Sequence, residues 1–151
     1  MKKTYFLYLL LFIAVLVFVM IMVGCVGCFF DIGSLVMVLL CTLFMLKTNY
    51  SFGEIGRYFS CGFGNKTVNT ADLKKGIIFF KNMQRYLFIS GGIGAMMGLV
   101  GMLALIEDPA KIGAGMALAL ITVLYALFFT MAVAIPFKTA LEKTLAEAED
   151  N

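Results

Sequence analysis

The sequence predicts an all-α integral membrane protein of four transmembrane helices, and three observations carry that prediction. Of its 151 residues 62% are hydrophobic and only 14% are charged, with a mean hydropathy of +1.00, whereas a soluble domain is about half apolar and about a quarter charged. A helix crosses the hydrocarbon layer with about 20 mostly apolar residues, and runs of that length recur four times. Lys and Arg are gathered in segments that one topology brings to a single side. No globular core of this size can bury so many apolar residues at once. One membrane domain over 1–151 is therefore expected, with spans at about 5–23, 30–46, 86–106 and 112–135, a polar segment at 47–85 and a tail at 138–151.

The first span follows Lys2 and Lys3, carries no charge, and ends at Gly24 and Cys25. It is longer than a signal-peptide core and lacks an Ala-x-Ala site, so a retained helix is expected. The small residue before Cys25 leaves a lipoprotein-like cleavage as the alternative. The second span opens beside Asp31, runs through Gly33, Ser34 and the apolar stretch Leu35–Leu46, and stops at Lys47. In the polar segment, Ser51 and Glu54 have capping-box spacing and open a short interfacial helix carrying Ile55, Tyr58 and Phe59. Cys61-Gly62-Phe63-Gly64-Asn65 reads as a turn, and Asn65-Lys66-Thr67 is a chance sequon. Thr70 and Asp72 begin a helix that continues through Lys74, Lys75 and Lys81 into the third span. Glu107-Asp108-Pro109-Ala110-Lys111 turns the chain into the fourth span, whose end Pro136 marks. Leu141 and Leu145 lie one turn apart in a tail that reads as a short helix continuing that span.

Cytoplasmic loops attract Lys and Arg. Lys2, Lys3, Lys47, Arg57, Lys66, Lys74, Lys75, Lys81, Arg85, Lys138 and Lys143 all fall on one side of a four-span topology, and only Lys111 falls on the other. Both termini and the polar segment are thus expected in the cytoplasm, with Asp31, Glu107 and Asp108 facing out. The net charge of +3 is sorted by membrane side rather than gathered into a nucleic-acid patch. With no histidine in the chain, imidazole catalysis, histidine metal sites and histidine proton relays are excluded. No nucleophile and base pair or metal-ligand cluster lies within the spans, so neither an enzyme nor a cofactor is expected. Cys25 and Cys28 form a CxxC, but no second pair completes a metal site, and they read as small boundary residues with a disulfide or metal as the alternative. Cys41 and Cys61 read as apolar fillers.

Two stripes of small residues stand out. Gly91, Gly94, Gly98 and Gly101 in the third span are spaced three, four and three apart, on one helical face where a neighbouring backbone can approach closely. In the fourth span Gly115, Ala119, Thr122, Ala126 and Thr130 fall within about 80 degrees of one another at 100 degrees per residue. Tight packing inside one subunit accounts for both; so does a pore wall, with the hydroxyls of Thr122 and Thr130 facing an ion. A mid-helix threonine more commonly bonds the preceding carbonyl. No Asp, Glu, Lys or Arg lies within the apolar spans themselves, so proton conduction needs a titrating group from a partner.

From Gly94 to Lys138 the sequence resembles the MotA/TolQ/ExbB proton-channel family, most closely its MotA branch. Gly98-Leu99-Val100-Gly101-Met102-Leu103, Glu107-Asp108-Pro109-Ala110 and Ile112-Gly113-Ala114-Gly115-Met116-Ala117-Leu118-Ala119-Leu120 follow the family pattern with its spacing, and Thr122, Leu124, Tyr125 and Pro136 continue it. Phe30-Asp31-Ile32-Gly33-Ser34-Leu35 through Thr42 resembles the start of the second span in stator subunits, with Gly33 where proline is usual. The resemblance covers about half of the chain. It implies a ring-forming subunit, typically a pentamer, around a dimeric MotB/TolR/ExbD-like single-span partner that bears the membrane aspartate. Proton or sodium flow there turns or shifts the ring in a bacterial inner membrane. Carried onto this sequence, the channel-lining positions are Thr122, Thr130, Ala119, Ala126 and Ala95.

Ala95 stands where the family usually has a third-span threonine, and Val123 where the second threonine of a pair is expected. Ser90-Gly91-Gly92 replaces a proline. Thr130, two turns beyond Thr122, is the candidate replacement hydroxyl. The segment 47–85 is much shorter than the cytoplasmic domain with which flagellar stators engage a rotor, so torque on a flagellar rotor is not expected. A non-conducting scaffold of the same fold is the alternative function.

Overall fold

A computed structural model describes residues 2–24, 26–63, 69–104 and 109–149, with the side chains of 2–4 and 109–111 left aside. The expectations at Cys25, at the Asn65 sequon with the turn around it, and at the loop acids Glu107 and Asp108 lie outside the described residues. Among the described residues the regular structure is entirely helical: α1 Lys2–Val23, a 3-10 turn Val26–Phe29, α2 Ile32–Asn49, α3 Phe52–Gly62, α4 Thr70–Ala104, α5 Pro109–Phe129, a π-helical turn Thr130–Ala134 and α6 Ile135–Glu149. Four stretches are long and apolar enough to cross a membrane: Tyr5–Val23, Val26–Asn49, Thr70–Ala104 and Ile112–Glu149.

The central helix is α4, which packs on α2, α3, α5 and α6. Its buried residues run along its length from Leu73 through Phe79, Phe80 and Leu87 to Gly98. At the basic end of the bundle the neighbours are large. Phe79 and Phe80 are fully buried; Phe59 meets both edge to face, Tyr58 lies tilted against Phe79 at 5.3 Å, and Phe137 lies tilted against Phe80 at 5.4 Å. Such aromatic pairs contribute about 0.5–1.5 kcal/mol each beyond their buried area. The segment between α2 and α4 thus forms an aromatic cap that pins α3 to α4 and α6. Its start is fixed locally, since the Ser51 N–H donates to Glu54 Oε2 at 2.8 Å. Arg57 pairs with Asp72 between α3 and α4. Tyr58 is buried in this cap, and desolvation pushes its phenol pKa up.

At the far end of α1, Gly24 takes φ +78, a left-handed conformation suited to glycine at a helix C-terminus, and donates its N–H to Ile21 at 3.0 Å. Cys28, in the 3-10 turn that follows, is disulfide-bonded, while Cys41 and Cys61 are free thiols. No residue of Tyr5–Val23 is fully buried. Its half-buried positions Tyr5, Leu9, Phe12, Leu16 and Met20 form one stripe, along which Phe12 stacks on Phe128 with ring centroids 6.0 Å apart.

Pro136, which the sequence marks as the end of the fourth span, lies within a continuous helical stretch. The helix continues through it into α6 because the turn before it widens: the Ile135 N–H bonds to the Thr130 carbonyl, five residues back rather than four. This π turn relieves the clash of the proline ring with the preceding turn. Proline also removes the donor for the Ala132 carbonyl, and the Tyr5 hydroxyl of α1 supplies one at 2.6 Å.

Candidate functional site

The α4–α5 seam is built from backbone contacts. Ideal Cβ atoms placed at Gly91, Gly94 and Gly98 would lie 2.5 Å from Ala126 Cβ, 2.9 Å from Thr122 Cβ and Cγ2, and 2.9 Å from the Ala119 backbone nitrogen. Glycine is therefore required at each position by close approach rather than by its own dihedrals. On α5 the matching residue Gly115 faces Met102, whose Cβ a methyl group there would meet at 2.8 Å. Gly101 lies outside the seam: it is exposed, and a Cβ there meets nothing within 4 Å. The contact line advances by fours from Gly94 to Gly98 to Met102, which leaves Gly101 on the outer face.

Four of the small residues proposed for a pore wall are turned into this seam or just beyond it. Ala119, Thr122, Ala126 and Thr130 are 4%, 2%, 2% and 3% exposed, while Ala95 is half-buried beside Gly94. Thr122 donates its hydroxyl to the Ala119 carbonyl of its own helix at 2.8 Å and packs its methyl on Gly94. Thr130, at the start of the π turn, has a buried hydroxyl with no hydrogen-bond partner.

Alongside the seam, α2 presents Ser34, Val38, Thr42 and Leu46 at four-residue spacing, so the bundle interior carries more hydroxyls than the two threonines of α5. Thr42 Oγ1 donates to the Val38 carbonyl at 2.7 Å and lies 3.2 Å from Ser90 Oγ, which in turn donates to Leu87 at 3.0 Å. Met37 Sδ comes within 3.2 Å of the Cβ position of Gly94, so α2 closes the third side of the Thr122 environment. At the other end Tyr125 donates to the Phe29 carbonyl at 2.7 Å and accepts the Asp31 N–H at 3.0 Å, while Asp31 Oδ2 accepts the Ser34 N–H at 2.6 Å. Ser90, Thr42 and Tyr125 stand in the sequence only within family-like stretches, and nothing there assigns any of them a partner. The four-residue spacing of the α2 hydroxyls was the available signal for Thr42; nothing local links Tyr125 to Asp31.

Among the described residues no cluster of three His, Cys, Asp or Glu side chains is placed to hold a metal.

This is a multi-pass membrane bundle organised around a glycine-bearing helix and a hydroxyl-bearing partner packed backbone to backbone. Residues 65–151 match the MotA/TolQ/ExbB proton channel family, and the chain belongs to it. It is 47% identical over 53 residues to Motility protein A of Aquifex aeolicus (strain VF5), covering 35% of this chain and 21% of that protein. With Motility protein A of Treponema phagedenis it shares 43% over 51 residues, 34% of this chain and 20% of the relative. The matched region thus spans about a fifth of the length of each curated relative.

Proposed function

We propose that this chain is the ring-forming subunit of an ion-driven membrane complex, assembling with copies of itself around a single-span partner that carries a membrane aspartate. Family membership of residues 65–151, a region that contains the α4–α5 pair, carries this reading. The ring is a homo-oligomer, pentameric by analogy with its family, in a bacterial inner membrane with both termini and α3 in the cytoplasm. That orientation rests on the clustering of Lys47, Lys81, Arg85 and Lys138 toward one end of the bundle. Protons or sodium ions are the transported species, and Thr122, Thr130, Ala119, Ala126 and Ala95 are the positions proposed beside their path. The outer face of α4, with Ile89, Ile93, Met96 and Val100 exposed, supports a ring contact, since none of the described residues covers it.

A second reading, a non-conducting scaffold, is favoured by one observation: the Thr122 hydroxyl is bound within its own helix, in a seam that its own subunit closes. Co-expression with a single-span, aspartate-bearing membrane protein, followed by mass determination of the solubilised complex, separates the two. A ring of several copies holding the partner, with ion flux lost in Thr122→Ala, is the expected result. A monomer or dimer that ignores the partner would leave the scaffold.

A further inference from the structure

One face of α4 changes character along its length. Lys81, Arg85, Ile89, Gly92 and Met96 follow one another at steps of three or four, all exposed, and fall within about 80 degrees of one another at 100 degrees per residue. Arg85 is the last charged residue before Glu107, so the basic part of the face gives way to an apolar part within about one turn. Along that apolar part runs an open groove of about 710 Å³, lined by Ile89, Ile93, Met96 and Val100 and by the glycines Gly92 and Gly101. A Cβ at either glycine meets nothing within 4 Å, so these two hollow the surface instead of admitting a helix of the same subunit. From Ile89 to Gly101 the helix rises about 18 Å at 1.5 Å per residue. That is close to half of the ~30 Å hydrocarbon core, the depth of one leaflet.

The charges at the end of this groove are unmatched. Among the described residues neither Lys81 nor Arg85 has an acidic partner: Asp72 engages Arg57, Glu142 engages Lys138, and Glu149 engages Lys74, well before Arg85 on the helix. Glu107 and Asp108 follow the opposite end of α4 in the chain. Like charges at i and i+4 disfavour a helix by themselves, and an anion shared between them removes the repulsion. A guanidinium takes a phosphate through two parallel hydrogen bonds, and an ammonium adds a point charge beside it. An apolar furrow one leaflet long that ends at two cations has the layout of a phospholipid, chain along the groove and phosphate at its end.

We infer that Lys81 and Arg85, with the groove from Ile89 to Gly101, form a binding site for an anionic phospholipid. Basic side chains beside a membrane segment attract anionic lipids in a diffuse way; here the furrow fixes where the chain lies relative to the two cations. The site is complete on one subunit. A neighbouring copy can close over a furrow already filled by a chain, so the inference neither rests on the ring reading nor opposes it.

Native mass spectrometry of the purified chain, released from detergent micelles, counts bound lipids and copies together. Phosphatidylglycerol is expected to be retained about tenfold better than phosphatidylcholine with the same chains, the worth of one charge-assisted contact. Glycerol phosphate, which has the phosphate and no chain, should not be retained. Arg85→Gln and Lys81→Gln should each reduce the preference for phosphatidylglycerol. Gly92→Leu, at a position whose Cβ meets nothing, fills the furrow and should lower retention of both lipids. Lys143→Gln, at an exposed lysine on α6, should leave the preference as it is. Equal retention of the two lipids, or a loss in Lys143→Gln as large as in Arg85→Gln, would overturn the inference. So would retention of glycerol phosphate to the same extent, which would leave an anion site without a chain, or loss of the lipid as copies associate, which would give the groove to a second copy.

Discussion

The Tyr5 hydroxyl lies 2.6 Å from the carbonyl of Ala132, the acceptor that Pro136 deprives of its helical donor four residues on. One side chain from the first helix therefore completes the hydrogen bonding of a proline-interrupted helix that follows more than a hundred residues later. The same ring packs edge to face on Phe137 at 5.8 Å, so Tyr5 also joins α1 to the aromatic cap.

Tyr5→Phe should lower stability by about 0.5–1.5 kcal/mol, the usual net value of one such bond, while preserving the ring contact. In a Pro136→Ala background the helix regains its own donor, and the cost of Tyr5→Phe should shrink. A double-mutant cycle by reversible unfolding in mixed micelles measures the difference; equal costs in both backgrounds would count against the pairing.

Gly98→Ala and Gly101→Ala make opposite predictions although the residues are three apart on one helix. At Gly98 the added methyl meets the Ala119 backbone at 2.9 Å, so α5 must move, at a cost of about 1–3 kcal/mol. At Gly101 it meets nothing within 4 Å, and the gain in helix propensity should stabilise the protein by up to about 1 kcal/mol. Thermal midpoints of the two purified variants check both signs.

Phe137→Ala should cost about 3–5 kcal/mol, because the ring is 3% exposed and touches Phe59, Phe63 and Phe80. The damage should appear first in α3, whose Gly62 lies directly against that ring. Hydrogen exchange is expected to accelerate over Phe52–Gly62 before it changes over Gly91–Gly98.

Tyr125→Phe removes the hydroxyl that serves both the Phe29 carbonyl and the Asp31 N–H. A loss of about 1–3 kcal/mol is expected from leaving these groups unpaired, with faster hydrogen exchange confined to residues 26–31. Unchanged exchange there would mean that the segment is held by other contacts.

The sequence by itself determined the helical class, the four apolar runs, the unbroken helix from Thr70 into the third span, and the family. These follow from run length, from the absence of charge over each run, and from glycine and alanine spacing, all of which are local. The three-and-four spacing of Gly91, Gly94 and Gly98 already marked a face suited to close approach. Tertiary structure alone decided which residues that face meets and where the line ends. Gly101 fits the same spacing as its predecessors, yet the contact passes to Met102, because the line of closest approach advances by fours along α4 and leaves Gly101 on the outer face. It also decided how the helix passes Pro136, since a π turn and a tyrosine from another helix replace what proline removes. Asp31, read in one dimension as an acid in a turn, is tied through its backbone N–H to a tyrosine hydroxyl 94 residues away. Hydropathy records how apolar a segment is; which helix a turn is tied to depends on the hydrogen bonds it finds in the finished bundle.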